Sequence, residues 1–97
     1  MDSAAWKVIP FQQQMGHITS EIARARAWEE KGSMDSREQA LLRAMDLIDL
    51  SLNCARGTRC RELARLREVV CDCLIQAGVY HVSLSDLERY GLQFLGI

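Results

Sequence analysis

The sequence predicts an all-α fold, an antiparallel up-down bundle of three long helices plus a short C-terminal helix, in one domain over residues 1–97. Three observations predict it. Apolar residues recur at steps of three and four, in Phe11, Met15, Ile18, Ile22 and Ala25 and again in Leu63, Leu66, Val70, Cys73 and Ala77. That spacing keeps side chains on one face of an α-helix. The periodic stretches are of similar length and joined by short segments, so successive helices must double back on one another. The stretch Val79–Tyr80–His81–Val82 has extended character, but a single short segment has no partner with which to form a sheet.

The first helix is expected over residues 10–31. Pro10 presets φ near the helical value and lacks an amide that a helix start would leave unpaired. Gly16 weakens the opening turns by about 1 kcal/mol relative to alanine, and Gly32 suits the left-handed position after the last turn. The second helix is expected over 36–52, with Asp35 capping it and Glu38 reaching back three residues later. Its apolar residues, from Ala40 and Leu41 to Leu50 and Leu52, cover more than one stripe, which suits a central helix with several neighbours. Asn53 to Gly57 break the pattern, Thr58 is a suitable cap for a third helix over 59–77, and Gly78 ends it. Ser85 with Glu88 has the spacing of a further capping box, placing the last helix over 86–94, with Gly91 as a weak point.

Composition sets bounds on function. A chain of 97 residues buries roughly 60–70% of its unfolded surface, enough for a lone core of modest margin. Hydrophobic residues at 48% and charged residues at 26% argue against disorder, and a net charge of −1 excludes a globally basic nucleic-acid binder. No apolar run approaches the ~20 residues of a membrane helix. The first residues lack the pattern of a signal peptide, since Asp2 precedes any basic residue and no apolar core follows. The expectation is a cytoplasmic protein, without membrane contact, whose four cysteines are reduced.

Five arginines fall close together at 56, 59, 61, 65 and 67, at the start of the third helix, where the macrodipole disfavours cations. Asp46 and Asp49 lie late in the second helix, where acids are disfavoured, so cross-helix pairing would correct both. The functional alternative is an anion-binding patch at Arg56, Arg59, Arg61 and Arg65. No aromatic residues interleave with these arginines to stack on bases, which counts against nucleic acid.

Cys54, Cys60, Cys71 and Cys73 lack the paired spacing of a structural zinc site, and Cys71 and Cys73 lie about 200° apart around one helix. Cys73 falls on the core stripe, whereas Cys54 and Cys60 flank one turn, a geometry that admits a redox crosslink. His17 and Glu21 are one turn apart and read as a surface pair rather than a metal site; His81 is isolated. No glycine-rich phosphate loop, metalloprotease motif or nucleophile elbow occurs. The expectation is therefore no enzyme, no metal and no cofactor.

What remains is contact surface. Trp6, Trp28, Leu92, Phe94 and Leu95 are apolar residues beyond the needs of the three-helix core. They predict a non-catalytic interaction or self-association module, either a homodimer or a binder of a helical protein partner. Residues 21–32, 44–50 and 62–70 together resemble small bacterial helical proteins of uncharacterised function. The first two runs also resemble the helix–loop–helix of flagellar export chaperones, bundles that bind a partner's terminal helix. The resemblance spans about half of the chain. It implies a helical bundle and a chaperone-like grip on a partner helix, and it assigns no functional residue.

Overall fold

A computed structural model describes residues 3–94. Among them it contains α1 (Ser3–Lys7), α2 (Phe11–Glu30), α3 (Met34–Leu52), α4 (Thr58–Ile75) and α5 (Leu84–Gln93), and no strand. The all-α class and the three long helices are as the apolar spacing predicts. The additional helix α1 is too short to carry a periodic signal.

The helix boundaries differ from expectation for local reasons. Pro10 is the N-cap of α2 rather than its first residue, and its carbonyl accepts from the Gln14 amide. Ser33, not Asp35, precedes α3; Gly32 turns at φ +80°, the Ser33 amide closes back on the Trp28 carbonyl, and α3 begins at once. Asp35 thus lies inside the first turn, where its charge complements the helix dipole. Gly57, at φ +60°, is the N-cap of α4, which makes Thr58 its first residue instead of its cap. Before α5 the reciprocal capping box joins Ser83 to Asp86, with Ser83 Oγ accepting from the Asp86 amide and Asp86 Oδ2 from the Ser83 amide. That register turns both Leu84 and Leu87 into the core. Glu88, the expected partner of Ser85, accepts from Arg26 instead, 2.6 Å away.

Helix α4 ends two residues early. Gln76 adopts the left-handed conformation, and the buried Asp72 carboxylate accepts from the Val79 and Tyr80 amides. One side chain therefore takes up the backbone donors of the following loop, which has no sheet partner to do so.

The core runs along the seam between α2 and α3. Met15, Ile18, Ile22 and Ala25 from α2 and Ala40, Leu41, Ala44 and Ile48 from α3 are all buried. The alanines bring the two backbones close. Glu29 reaches Arg37 near the turn and Glu21 reaches Arg43 further from it, so the two helices run in opposite senses along the seam. Around this pair, α4 packs mainly on α3, α5 mainly on α2, and α1 on α3.

Buried polar contacts fasten α4 and α1 to this pair and brace the seam itself. The Arg37 side chain, itself buried, donates through Nε to Glu29 and through Nη2 to the Cys73 carbonyl at the end of α4, 3.0 Å away. It satisfies a carbonyl that the helix end leaves without a partner and places a cation at the negative end of the dipole. Trp6 anchors α1: its indole is fully buried and donates to Ser51 Oγ at 2.9 Å, while Gln14 Nε2 donates to the carbonyls of Ile9 and Trp6. Glu21 is buried between Arg24 and Arg43. Burial by itself raises its carboxyl pKa, but the hydrogen bonds and charges of the two arginines outweigh that and hold it below the ordinary value.

Gly91 has a packing role. A Cβ there would fall on Thr19 Oγ1 and within 2.9 Å of Thr19 Cγ2, so the glycine lets α5 lie flush on α2. Gly91→Ala should therefore lower stability in urea unfolding by about 1–3 kcal/mol through overpacking. In a Thr19→Ala background the loss should shrink, because Oγ1 and Cγ2 are gone and only the Cβ of residue 19, 3.0 Å away, still opposes the gain in helix propensity of about 1 kcal/mol. Equal losses in both backgrounds would refute the close approach. The Glu21 contribution should be complete above the ordinary carboxylate range and disappear as pH falls through the depressed folded-state pKa. Unfolding free energies from urea titrations of the wild type and Glu21→Gln, measured against pH, should thus differ at pH 7 by about 1 kcal/mol and converge in acid. A constant gap would contradict the ion-pair assignment.

Candidate functional site

Because α5 is drawn onto α2 and α4 onto α3, the facing sides of α4 and α5 enclose a cleft of about 210 Å³. Leu66 and Val69 of α4, Val82 of the loop, and Leu87 and Tyr90 of α5 form its apolar walls, with Arg65 and Asp86 also lining it. Tyr90 continues into a second, more open hollow of about 290 Å³ with Glu62, Gln93 and Phe94. The two hollows form one trough along the α4–α5 gap. Phe94 packs edge-on against both Tyr90 and Phe11, with centroids 5.4 and 6.0 Å apart, and closes the far end. Partial burial, reinforced by the charge of Glu62, pushes the Tyr90 hydroxyl above its ordinary pKa, so it stays a neutral donor and acceptor at physiological pH.

The expected contact surface is only partly available. Trp6, expected outside, is the anchor of α1 and fully buried; it forms part of the structure's interior because Ser51 offers its indole N–H a partner. Trp28 is 38% exposed, with the Lys31 ammonium 5.1 Å from its ring centroid. Leu92 and Phe94 are half-buried, and Phe94 packs against the core. Leu95 lies outside the described residues.

The arginine cluster divides. Arg67 pairs with Asp49 at 2.6 Å, as cross-helix correction requires. Asp46 makes no ion pair among the described residues, and neither do Arg56, Arg59, Arg61 or Arg65. Arg59 lies over the Phe11 ring, 4.7 Å from its centroid, and Arg56 donates to the neighbouring Ala55 carbonyl. Glu68, within reach of Arg65 by spacing, accepts from the Tyr80 hydroxyl instead.

All four cysteines are free thiols. Cys54 donates to the carbonyls of Leu50 and Ser51, and Cys73 to that of Val82. His17 is exposed and tilted against the Trp6 ring at 5.6 Å; Glu21, its expected partner, is occupied by the two arginines. Among the described residues no group of three or more His, Cys, Asp or Glu side chains is placed to hold a metal ion. None of the described helices is long and apolar enough to cross a membrane.

Sequence reasoning missed the trough. The signal was Val69, which sits beside the Leu66–Val70 stripe and widens it, together with Tyr90 one turn after Leu87. Helical spacing shows that such residues are extra, but not that the two helices bearing them stand next to each other. No protein-family model, curated protein or solved structure matches this chain.

The thiols should separate by reactivity. Burial pushes the Cys73 thiol above its ordinary pKa, with Asp72 and Glu29 adding to the effect and Arg37 opposing it. In the native protein a disulfide reagent at pH 8 should therefore modify Cys73 last, at least about tenfold more slowly than the others, and all four at similar rates in denaturant. Peptide mapping of the labelled sites checks this, and a native Cys73 as fast as Cys60 would refute it.

Proposed function

We propose that this protein is a non-catalytic, cytoplasmic docking module that seats an amphipathic helix of a protein partner in the α4–α5 trough. The observation that carries this reading is the trough itself: an apolar hollow between two helices, bordered by ionisable side chains. A cavity of roughly 150 Å³ lined by apolar side chains is enough to hold a benzene ring, so the deeper hollow suits one large apolar anchor of a partner helix. A second anchor one turn away would rest in the hollow beside Phe94, which is the recurrent i, i+3 or i+4 mode of helix-in-groove recognition.

The rim favours a particular partner. Arg65 has no ion-pair partner among the described residues and calls for an acid beside the anchor, the Asp86 carboxylate on the same cleft being engaged by the Ser83 amide and Arg89, while Glu62 at the far end calls for a base. The chaperone-like grip suggested by the sequence resemblance is the same physical act.

Selection from a displayed library of helical peptides should enrich apolar anchors one turn apart, flanked by an acid and a base. Bound peptide should move the methyl resonances of Leu66, Val69 and Leu87. Tyr90→Ala and Val82→Asp should each weaken binding by about tenfold, or 1.4 kcal/mol, with unchanged circular dichroism. Solution mass should remain at the monomer value of 11.0 kDa. A stable dimer with the trough covered would make a second copy of this chain the occupant. Failure to enrich any peptide, or resonance shifts elsewhere, would overturn the proposal.

A further inference from the structure

The arginines that the bundle does not neutralise converge, in part, on a second cleft. It lies between the α1–α2 turn and the α3–α4 turn and measures about 320 Å³. Lys7 lines it from the end of α1 and Arg56 and Arg59 from the turn into α4, and no carboxylate of the described residues does. We propose that this cleft is a binding site for a small phosphomonoester.

The cations are positioned rather than merely present. Arg59 is held against the Phe11 ring and makes no hydrogen bond among the described residues, so its guanidinium edge is free for an acceptor. Arg56 is fastened by one donor to Ala55 and keeps the rest of its fork. Lys7 is brought to the rim by the burial of Trp6, its neighbour, and by the Gln14 bonds that fix the turn. Gln14, itself buried, forms part of the lining. Helix α4 starts beside the cleft with glycine as its N-cap and no side chain bonded to its first amides.

The Arg56 and Arg59 side chains are exposed, so the dipole disfavours them only mildly, but each would gain from an anion in the cleft. Two guanidiniums at a positive helix end repel the dipole and each other, and no acid in the cleft offsets the cost. A phosphate dianion answers every part of this: bidentate bonds from arginine, a point charge from lysine, and a favourable dipole. The volume lies at the low end for ligand pockets, roughly 300–1,000 Å³, which suits a phosphate with a small organic group rather than a polymer. Arg61 and Arg65 line neither this cleft nor any of its walls, which separates the site from a general basic patch.

The test is an NMR titration of the full chain at low salt, with inorganic phosphate in one arm and a nucleoside 5′-monophosphate in the other, against chloride at matched ionic strength. Saturable shifts are expected at Lys7, Arg56, Thr58 and Arg59 in both arms. Tighter binding of the monophosphate would show that its organic part is also seated; equal affinity would show recognition through the phosphate group. Arg59→Gln and Lys7→Gln should each weaken binding by about tenfold, and Arg61→Gln should leave it unchanged. Circular dichroism of each variant checks that the bundle is intact. The proposal is overturned by the absence of saturable shifts in either arm. It is equally overturned if Arg61→Gln weakens binding as much as Arg59→Gln, or if a single-stranded oligonucleotide binds more tightly than the mononucleotide, which would make the surface a diffuse nucleic-acid contact.

Discussion

Everything in this molecule is referred to the seam between α2 and α3. Alanines at positions 25, 40 and 44 bring the backbones together, and Met15, Ile18, Ile22, Leu41 and Ile48 fill the remaining space. No other pair of elements among the described residues is in such extensive contact, and α1, α4 and α5 each attach mainly to one of these two helices. Burial of a large aliphatic side chain contributes roughly 1.5–3 kcal/mol, so in a chain this short the seam is the main opponent of chain entropy.

Polar side chains then decide where the outer elements sit. Arg37 joins α2, α3 and the end of α4 through one guanidinium, and Asp72 ties down the loop that follows α4. Trp6, Ser51 and Gln14 do the same for α1. Each of these groups is buried, and each has its partners. No buried side-chain nitrogen or oxygen among the described residues lacks a hydrogen bond. A partly satisfied network would be costly, whereas a complete one specifies a single arrangement.

The two candidate sites are consequences of this attachment. Gly91 lets α5 settle on α2 while α4 settles on α3, and the gap between them becomes the trough. Trp6 pulls the N-terminal segment inward, and Lys7 comes to line the second cleft together with Arg56 and Arg59. In both cases a buried residue that touches no ligand positions the residues that would.

The sequence by itself determined the helical class, the three long helices and the core stripes, because periodicity and burial are local properties of each segment. It also suggested that acids late in α3 would pair across the turn with the arginine cluster, of which Arg67 with Asp49 is the one pair that forms among the described residues. The caps were legible only to within a few residues: Ser83–Asp86 and Ser85–Glu88 have the same spacing, and the burial of Leu84 and Leu87 chose between them. The fate of Trp6, the role of Gly91 and both clefts were decided by tertiary structure alone. Each depends on which residues distant in the chain become neighbours, such as Trp6 with Ser51 or Thr19 with Gly91, and no local pattern encodes such a meeting.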